Sequence, residues 1–148
     1  MGFLSIRLPK FSLEKVIASE RNLVFEVFSN YGDYQNLIPQ HFPSIRILSV
    51  RGNVAIVEEH MNLGPDELIL MAKHVSNKPL LHEVYVIGGD LKGSHFRHKF
   101  VEVPEGTWVT ADVKIKLGKL KIKRLFATNR YAKYYEEILN NFAKLCKG

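Results

Sequence analysis

Cysteine occurs once in the 148 residues, at Cys146, which excludes an internal disulfide framework and fits a reducing, cytoplasmic compartment. Long apolar runs are missing too. None approaches the roughly 18 to 20 residues that a membrane-spanning helix requires, so a helical bilayer crossing is not expected. The opening MGFLSIRLPK is too short to read as a signal peptide. Gly2 does not begin an N-myristoylation pattern, because Ile6 stands where Ser or Thr is wanted and Ser5 comes one place early. There is no nucleophile elbow, phosphate-cradling glycine loop, zinc spacing or paired-carboxylate motif, and Gly88-Gly89-Asp90 reads as a turn. The residues therefore call for no cofactor and no metal. With no repeat, low-complexity segment or linker either, residues 1–148 read as one domain large enough for a single core.

What is present is a balanced globular composition, 46% hydrophobic and 24% charged, with a formal net charge of +6. That charge favours an acidic partner: nucleic acid, phospholipid headgroups or an anionic ligand. Nucleic acid is the weakest of these, because no recognised nucleic-acid-binding module accompanies the charge. Oligomeric state is not legible.

The clearest periodicity lies at the end. From Arg124 to Cys146 the apolar positions, among them Leu125, Tyr131, Tyr135, Ile138, Phe142 and Cys146, recur at spacings of three and four. This predicts one amphipathic helix roughly 33 Å long. Earlier in the chain, Phe11 to Ala18 reads as a strand and Ser19 as a helix cap. Leu23, Val24, Val27, Phe28 and Tyr31 then mark a short helix, with Gly32 as its left-handed terminator. Asp33 caps a further turn through Tyr34, Leu37 and Ile38, which Pro39 stops. From Ser44 the rhythm changes to six strands separated by turn residues.

Pairing opposite charges across hairpins extends this reading to register. A loop of Asn77, Lys78 and Pro79 sets Lys73 opposite Glu83, and His74 opposite His82 on the other face. In the last hairpin Asp112 falls near Lys99 or Arg97, which turns Phe96, His98 and Phe100 inward with Val109, Ala111, Val113 and Ile115. In the Gly52-Asn53 hairpin Arg46 falls opposite Glu59, on the face that carries Leu48, Val50, Ala55 and Val57; inner and outer are not distinguished. The expected architecture is α+β: a curved six- or seven-stranded antiparallel sheet, two short helices and one long C-terminal helix. A single helix covers such a sheet incompletely, which predicts a hollow between them.

The stretch IASERNLVFEVFSNYGDYQNLIP, Ile17 to Pro39, resembles the opening of the START-like superfamily, which includes Bet v 1-type proteins, polyketide cyclases and aromatases, and Coq10-type quinone-binding proteins. The matching features are Val24-Phe25, Asp33-Tyr34 and Pro39, and the order of elements extends the likeness from Phe11 to Cys146. The resemblance implies a helix-grip fold holding an apolar or amphipathic small molecule, either for carriage or for chemistry.

Resemblance and register together assign a ligand-binding set. Tyr31, Tyr34, Leu37 and Ile38 come from the short helices, and Leu70, His74, His82 and Val84 from the middle hairpin. Phe96, His98, Phe100 and Val113 come from the last hairpin, and Thr128, Tyr131 and Tyr135 from the long helix. His98 is the sharpest candidate, since a neutral imidazole in the hollow can bond a carbonyl or act as acid or base. The plain alternative is a histidine satisfied by its neighbours. For the tyrosines it is ordinary core packing. His74 and His82 lack an assigned carboxylate or thiolate to complete a metal site. His95 and His98, three apart in a strand, point to opposite faces.

Lys114, Lys116, Lys119, Lys121, Lys123 and Arg124 alternate with Ile115, Leu117, Leu120 and Ile122 as a strand with lysines outward. That pattern suits a solvated face, or peripheral contact with an anionic membrane. The first functional expectation is a non-catalytic binder of a hydrophobic molecule, a lipid or isoprenoid quinone. The alternative is a cyclase or aromatase in which His98 or a tyrosine acts as acid or base.

Overall fold

Strict alternation of more and less buried residues is the signature of a strand with one face on a core, and Val54–Leu63 alternates half-buried with buried positions without a break. A computed structural model of the chain describes residues 10–117 and 128–146. The strands are β1 (Lys10–Ile17), β2 (Ser44–Arg51), β3 (Val54–Leu63), β4 (Asp66–Asn77), β5 (Leu81–Gly89), β6 (His95–Val103) and β7 (Gly106–Lys114). They form one seven-stranded sheet in the order β1-β7-β6-β5-β4-β3-β2, antiparallel at every pairing. The helices are α1 (Arg21–Ser29), α2 (Tyr34–Leu37) and α3 (Thr128–Leu145), with a single 3₁₀ turn at Tyr31–Asp33. The α+β helix-grip architecture is therefore as expected.

Register breaks between Ile47 and Ser49 and between Met71 and Ala72 bend the sheet locally. Its inner face carries Val57, Leu70, Val86, Phe100, Val109 and Val113, all buried, and α3 closes that face with Tyr131, Tyr135, Ile138, Leu139 and Phe142. α1 wedges between them. Phe28 packs its ring 5.4 Å from Phe100 and 4.7 Å from Phe142, joining helix, sheet and α3 in one cluster.

Several local expectations need correction. The cap of α1 is Glu20, with no side-chain bond, because the Ser19 hydroxyl donates instead to the Cys146 carbonyl at 2.7 Å. Gly32 terminates no helix: α1 ends at Ser29, and Gly32 lies within the 3₁₀ turn. Asp33 does occupy the cap position of α2 but makes no side-chain capping bond; it accepts from Asn30 instead. In the β4–β5 hairpin Asn77 pairs with Leu81, and the Leu80 N–H closes the turn on the Asn77 carbonyl, so Lys78 to Leu80 form the loop. The whole register moves with it. Lys73 faces Tyr85, His74 faces Val84 and His82 faces Ser76. In the β2–β3 hairpin the expected register holds near the turn, but the break at Leu48 moves Arg46 opposite Glu58, where its guanidinium donates at 3.0 Å. The last hairpin pairs Arg97 with Asp112 and buries Phe96, His98 and Phe100, as predicted. β7 ends at Lys114, short of the predicted strand; Lys119, Lys121, Lys123 and Arg124, and the predicted start of the long helix, lie outside the described residues.

Candidate functional site

Period-two patterning puts Ala55, Val57, Glu59, Met61 and Leu63 of β3 on the buried face. The Glu59 carboxylate therefore enters an apolar core and must find a partner. It finds His74. Between the paired residues Glu59–Leu70 and Ala55–His74 stands Val57–Ala72, a small pair that leaves Glu59 room to lie along the face. Glu59 Oε2 makes a short contact with His74 Nε2.

The chain of contacts continues diagonally across four strands. His74 Nδ1 lies 2.9 Å from His82 Nε2, and His82 Nδ1 lies 3.3 Å from His98 Nδ1. His98 Nε2 then meets the Tyr135 hydroxyl of α3 at 2.7 Å. The rings stack as well, with planes 22° apart for His74–His82, 25° for His82–His98 and 4° for His98–Tyr135. None of the five side chains is more than 4% exposed. Together they form one polar column inside an aromatic core.

Burial sets its protonation. Desolvation, reinforced by the neighbouring His74 and then His95, lowers His98 from the ordinary 6.5 to about 3. The same burial, with His74 and His98 on either side, carries His82 well below its usual value. Both imidazoles are neutral near pH 7. Desolvation, with the Glu59 charge second, raises the Tyr135 hydroxyl well above the usual phenol range. Tyr34 is raised in the same way.

All five column residues line an internal cavity of about 20 Å³, closed in by Tyr34, Phe42, Phe96 and Phe142 among others. Such a space holds about one water. The predicted hollow is thus in place but nearly filled, because imidazole and aromatic rings occupy the gap that a single helix leaves over the sheet. The column's nitrogens point at one another instead of converging, and no group of three His, Cys, Asp or Glu among the described residues is disposed to hold a metal ion. A wider open groove of about 570 Å³, lined by Ala18 to Arg21 and Glu102 to Gly106, shares none of these residues.

No protein-family model matches the chain, and no curated protein matches it in sequence. Solved structures do match. The Zhui aromatase/cyclase from Streptomyces sp. R1128 superposes with a TM-score of 0.79 at 10% identity, over 95% of this chain and 94% of that one. A protein from Thermus thermophilus gives 0.80 at 12% identity, over 92% and 95%. Ginseng major latex-like protein 151 from Panax ginseng gives 0.78 at 13% identity, over 96% and 99%. The chain has the START-like, Bet v 1-like helix-grip fold.

Within this helix-grip fold the residues expected at the ligand site divide into groups. Tyr34, Leu70, His74, His82, Val84, Phe96, His98 and Tyr135 line the cavity together. Tyr31, half-buried, packs its ring against His74 with centroids 4.7 Å apart and planes tilted by 40°. Ile38, Phe100, Val113 and Tyr131 are buried core residues away from the cavity wall, and Tyr131 reaches Asp66 at 3.3 Å. Leu37 is 48% exposed and faces away from the interior. The Thr128 side chain lies outside the description. Of the basic run, Lys114 is half-buried and Lys116 exposed. His95 lies on the opposite face from His98, as expected, with its Nε2 2.9 Å from Glu83.

Sequence reasoning missed Glu59 as a member of the site, and with it Phe42, Met61 and Phe142. The signal for Glu59 was its phase: it shares the alternation of Ala55, Val57 and Met61.

Proposed function

We propose that the interior between the sheet and α3 takes up an apolar, ring-bearing small molecule that carries an oxygen, and that the His98–Tyr135 end of the column meets that oxygen. The observation that carries this reading is the buried His98–Tyr135 pair, 2.7 Å apart, in a cavity otherwise walled by aromatic and aliphatic side chains. Polar groups fixed within an apolar lining are what orients a ligand in such a site. Ligand pockets measure roughly 300 to 1,000 Å³, whereas this cavity measures about 20 Å³. A guest therefore displaces side chains on entry, and its apparent affinity is reduced by the small fraction of molecules already open.

A lipid or isoprenoid quinone satisfies the description, with the chain acting as a carrier. The second reading is cyclase or aromatase-type chemistry on a polyketide-like substrate. It is supported by the His98–Tyr135 contact, which sets an exchangeable proton at the cavity wall, and by the likeness in fold to an aromatase/cyclase. In either case a cytoplasmic protein with Lys114 and Lys116 at its surface is suited to peripheral contact with anionic lipid, which vesicle flotation with and without anionic lipid measures.

Native mass spectrometry and organic extraction of freshly purified protein test the main reading. A co-purifying apolar molecule, with binding weakened in Tyr135→Phe, is the expected result. Repeatedly clean extractions, together with no uptake of aromatic ketones or quinones at high micromolar concentration, would overturn it.

A further inference from the structure

We propose that Glu59, His74, His82, His98 and Tyr135 form a proton relay, an acid–base unit that passes one proton between the Tyr135 hydroxyl and the Glu59 carboxylate. The relay rests on the reading that the interior admits a ligand, because Tyr135 exchanges its proton with that guest. Tyr135 is then the catalytic residue, and the other four position and balance it.

The order of donors and acceptors follows from what each group can do. A carboxylate at Glu59 only accepts, so His74 donates to it from Nε2. With one ring proton, placed on Nε2, His74 presents Nδ1 as an acceptor, which His82 fills from Nε2 at 2.9 Å. His82 in turn accepts at Nδ1 from His98 Nδ1 at 3.3 Å. His98 Nε2 is left to accept from the Tyr135 hydroxyl at 2.7 Å. Four contacts hold four protons, with no imidazolium and no donor facing a donor.

The same contacts support the opposite order. If every proton moves one place toward Glu59, the Tyr135 proton passes to His98 Nε2 and the His98 Nδ1 proton to His82 Nδ1. The His82 Nε2 proton passes to His74 Nδ1, and the His74 Nε2 proton to Glu59. Tyr135 recovers a proton from a guest O–H, or from a C–H beside a carbonyl. The guest loses one proton and Glu59 gains one; no heavy atom is transferred and nothing is oxidised. Run backward, the unit is a general acid. The substrate class is thus a small apolar molecule with a hydroxyl or an enolisable carbonyl.

Burial of all five groups keeps bulk water from bypassing the column, and the low proton affinity of His82 and His98 keeps them neutral between transfers. Hydrogen-bond satisfaction alone sets the resting direction, so what distinguishes a relay from a merely structural column is proton exchange with a guest that depends on Tyr135.

Long-range ¹H–¹⁵N correlation on the full-length ¹⁵N-labelled protein near neutral pH, without ligand, reads the tautomers directly. The expected wild-type pattern is a proton on Nε2 of His74, Nε2 of His82 and Nδ1 of His98. Glu59→Leu removes the terminal acceptor and should flip all three together, to Nδ1, Nδ1 and Nε2. Tyr135→Phe should leave the three as they are. A wild-type pattern without this common direction, or a Glu59→Leu change confined to His74, overturns the relay. Should Glu59→Leu not fold, the wild-type and Tyr135→Phe spectra still decide the direction. For the chemistry, the probe is β-tetralone in D₂O, with exchange beside the carbonyl followed by NMR. Wild type should accelerate exchange over buffer, and Tyr135→Phe should lose about a hundredfold of that. Acceleration unchanged in Tyr135→Phe would overturn the catalytic role. A disordered tautomer pattern leaves the binding reading standing; uptake of a guest without exchange overturns the acid–base function alone, and absence of uptake overturns the binding reading and the relay's function with it.

Discussion

Tyr135 and His82 stand at the end and in the middle of the same column, so removing each should cost different amounts. Tyr135→Phe keeps the ring and its packing but leaves His98 Nε2 without its donor at 2.7 Å. A buried acceptor left unpaired costs about 1–3 kcal/mol, and this one borders the small cavity, where a water can take the hydroxyl's place. A loss near 1 kcal/mol is expected. His82→Leu strands two imidazoles at once, since both of its nitrogens are engaged. That change should cost about 3 kcal/mol. Urea denaturation near neutral pH measures both, and equal losses would show that the contacts do not act as a connected chain. At this scale the sequence was informative about direction and poor about partners. The inward turn of Phe96, His98 and Phe100 followed from their alternation with charged residues, and the meeting of His74 with His82 survived a register that was two places off. The Glu59 contact was hidden because charge pairing pointed that residue at Arg46, whereas the register break at Leu48 hands Arg46 to Glu58.

The elements were more legible than the contacts between them. Seven strands, two short helices and a closing helix can be read from periodicity and turn residues, because both are local properties. The filling of the interior is not local. It depends on Phe28 of α1 reaching Phe142 of α3 and on three imidazoles stacking across strands, none of which a spacing rule records. Two changes probe this level. Gly106 opens β7 with φ of 139°, and a Cβ there would stand 2.2 Å from the Ile17 carbonyl oxygen of β1. Because the obstacle is backbone, the strands must separate: Gly106→Ala should cost about 2–4 kcal/mol, visible as a lowered Tm. Phe142→Leu trims the α3 ring that packs 4.7 Å from Phe28 and 5.3 Å from Tyr34. It should cost about 1–3 kcal/mol while enlarging the cavity, so apolar guests should bind faster and more tightly despite the lower stability. Stopped-flow association with an aromatic ketone checks this, and slower or weaker uptake would mean that α3 is not the wall a guest displaces.

For the molecule as a whole, the column links folding to pH. An unfolded histidine takes up a proton as pH falls through about 6.5, whereas folded His98 holds off until about 3, and His82 is likewise shifted far down. The groups facing these two rings are His74, Tyr135 and, through His74, Glu59. Below pH 6.5 the unfolded state therefore binds more protons than the folded one, and stability must fall as pH falls. The contribution is fully present above that point and is lost progressively down to about 3. Each buried imidazole adds a slope of roughly 1 kcal/mol per pH unit, so the pair removes several kcal/mol over two units. That is a large part of the roughly 5–15 kcal/mol available to a domain, so a marked loss of stability is expected on acidification below pH 6.5. The net charge of +6 grows as carboxylates protonate and adds self-repulsion with the same sign. Salt separates the two, because it screens surface repulsion and leaves a buried titration largely untouched. Denaturation midpoints between pH 7 and pH 4 should fall steeply in both low and high salt, and a decline that disappears in high salt would assign the acid sensitivity to surface charge instead of the buried imidazoles.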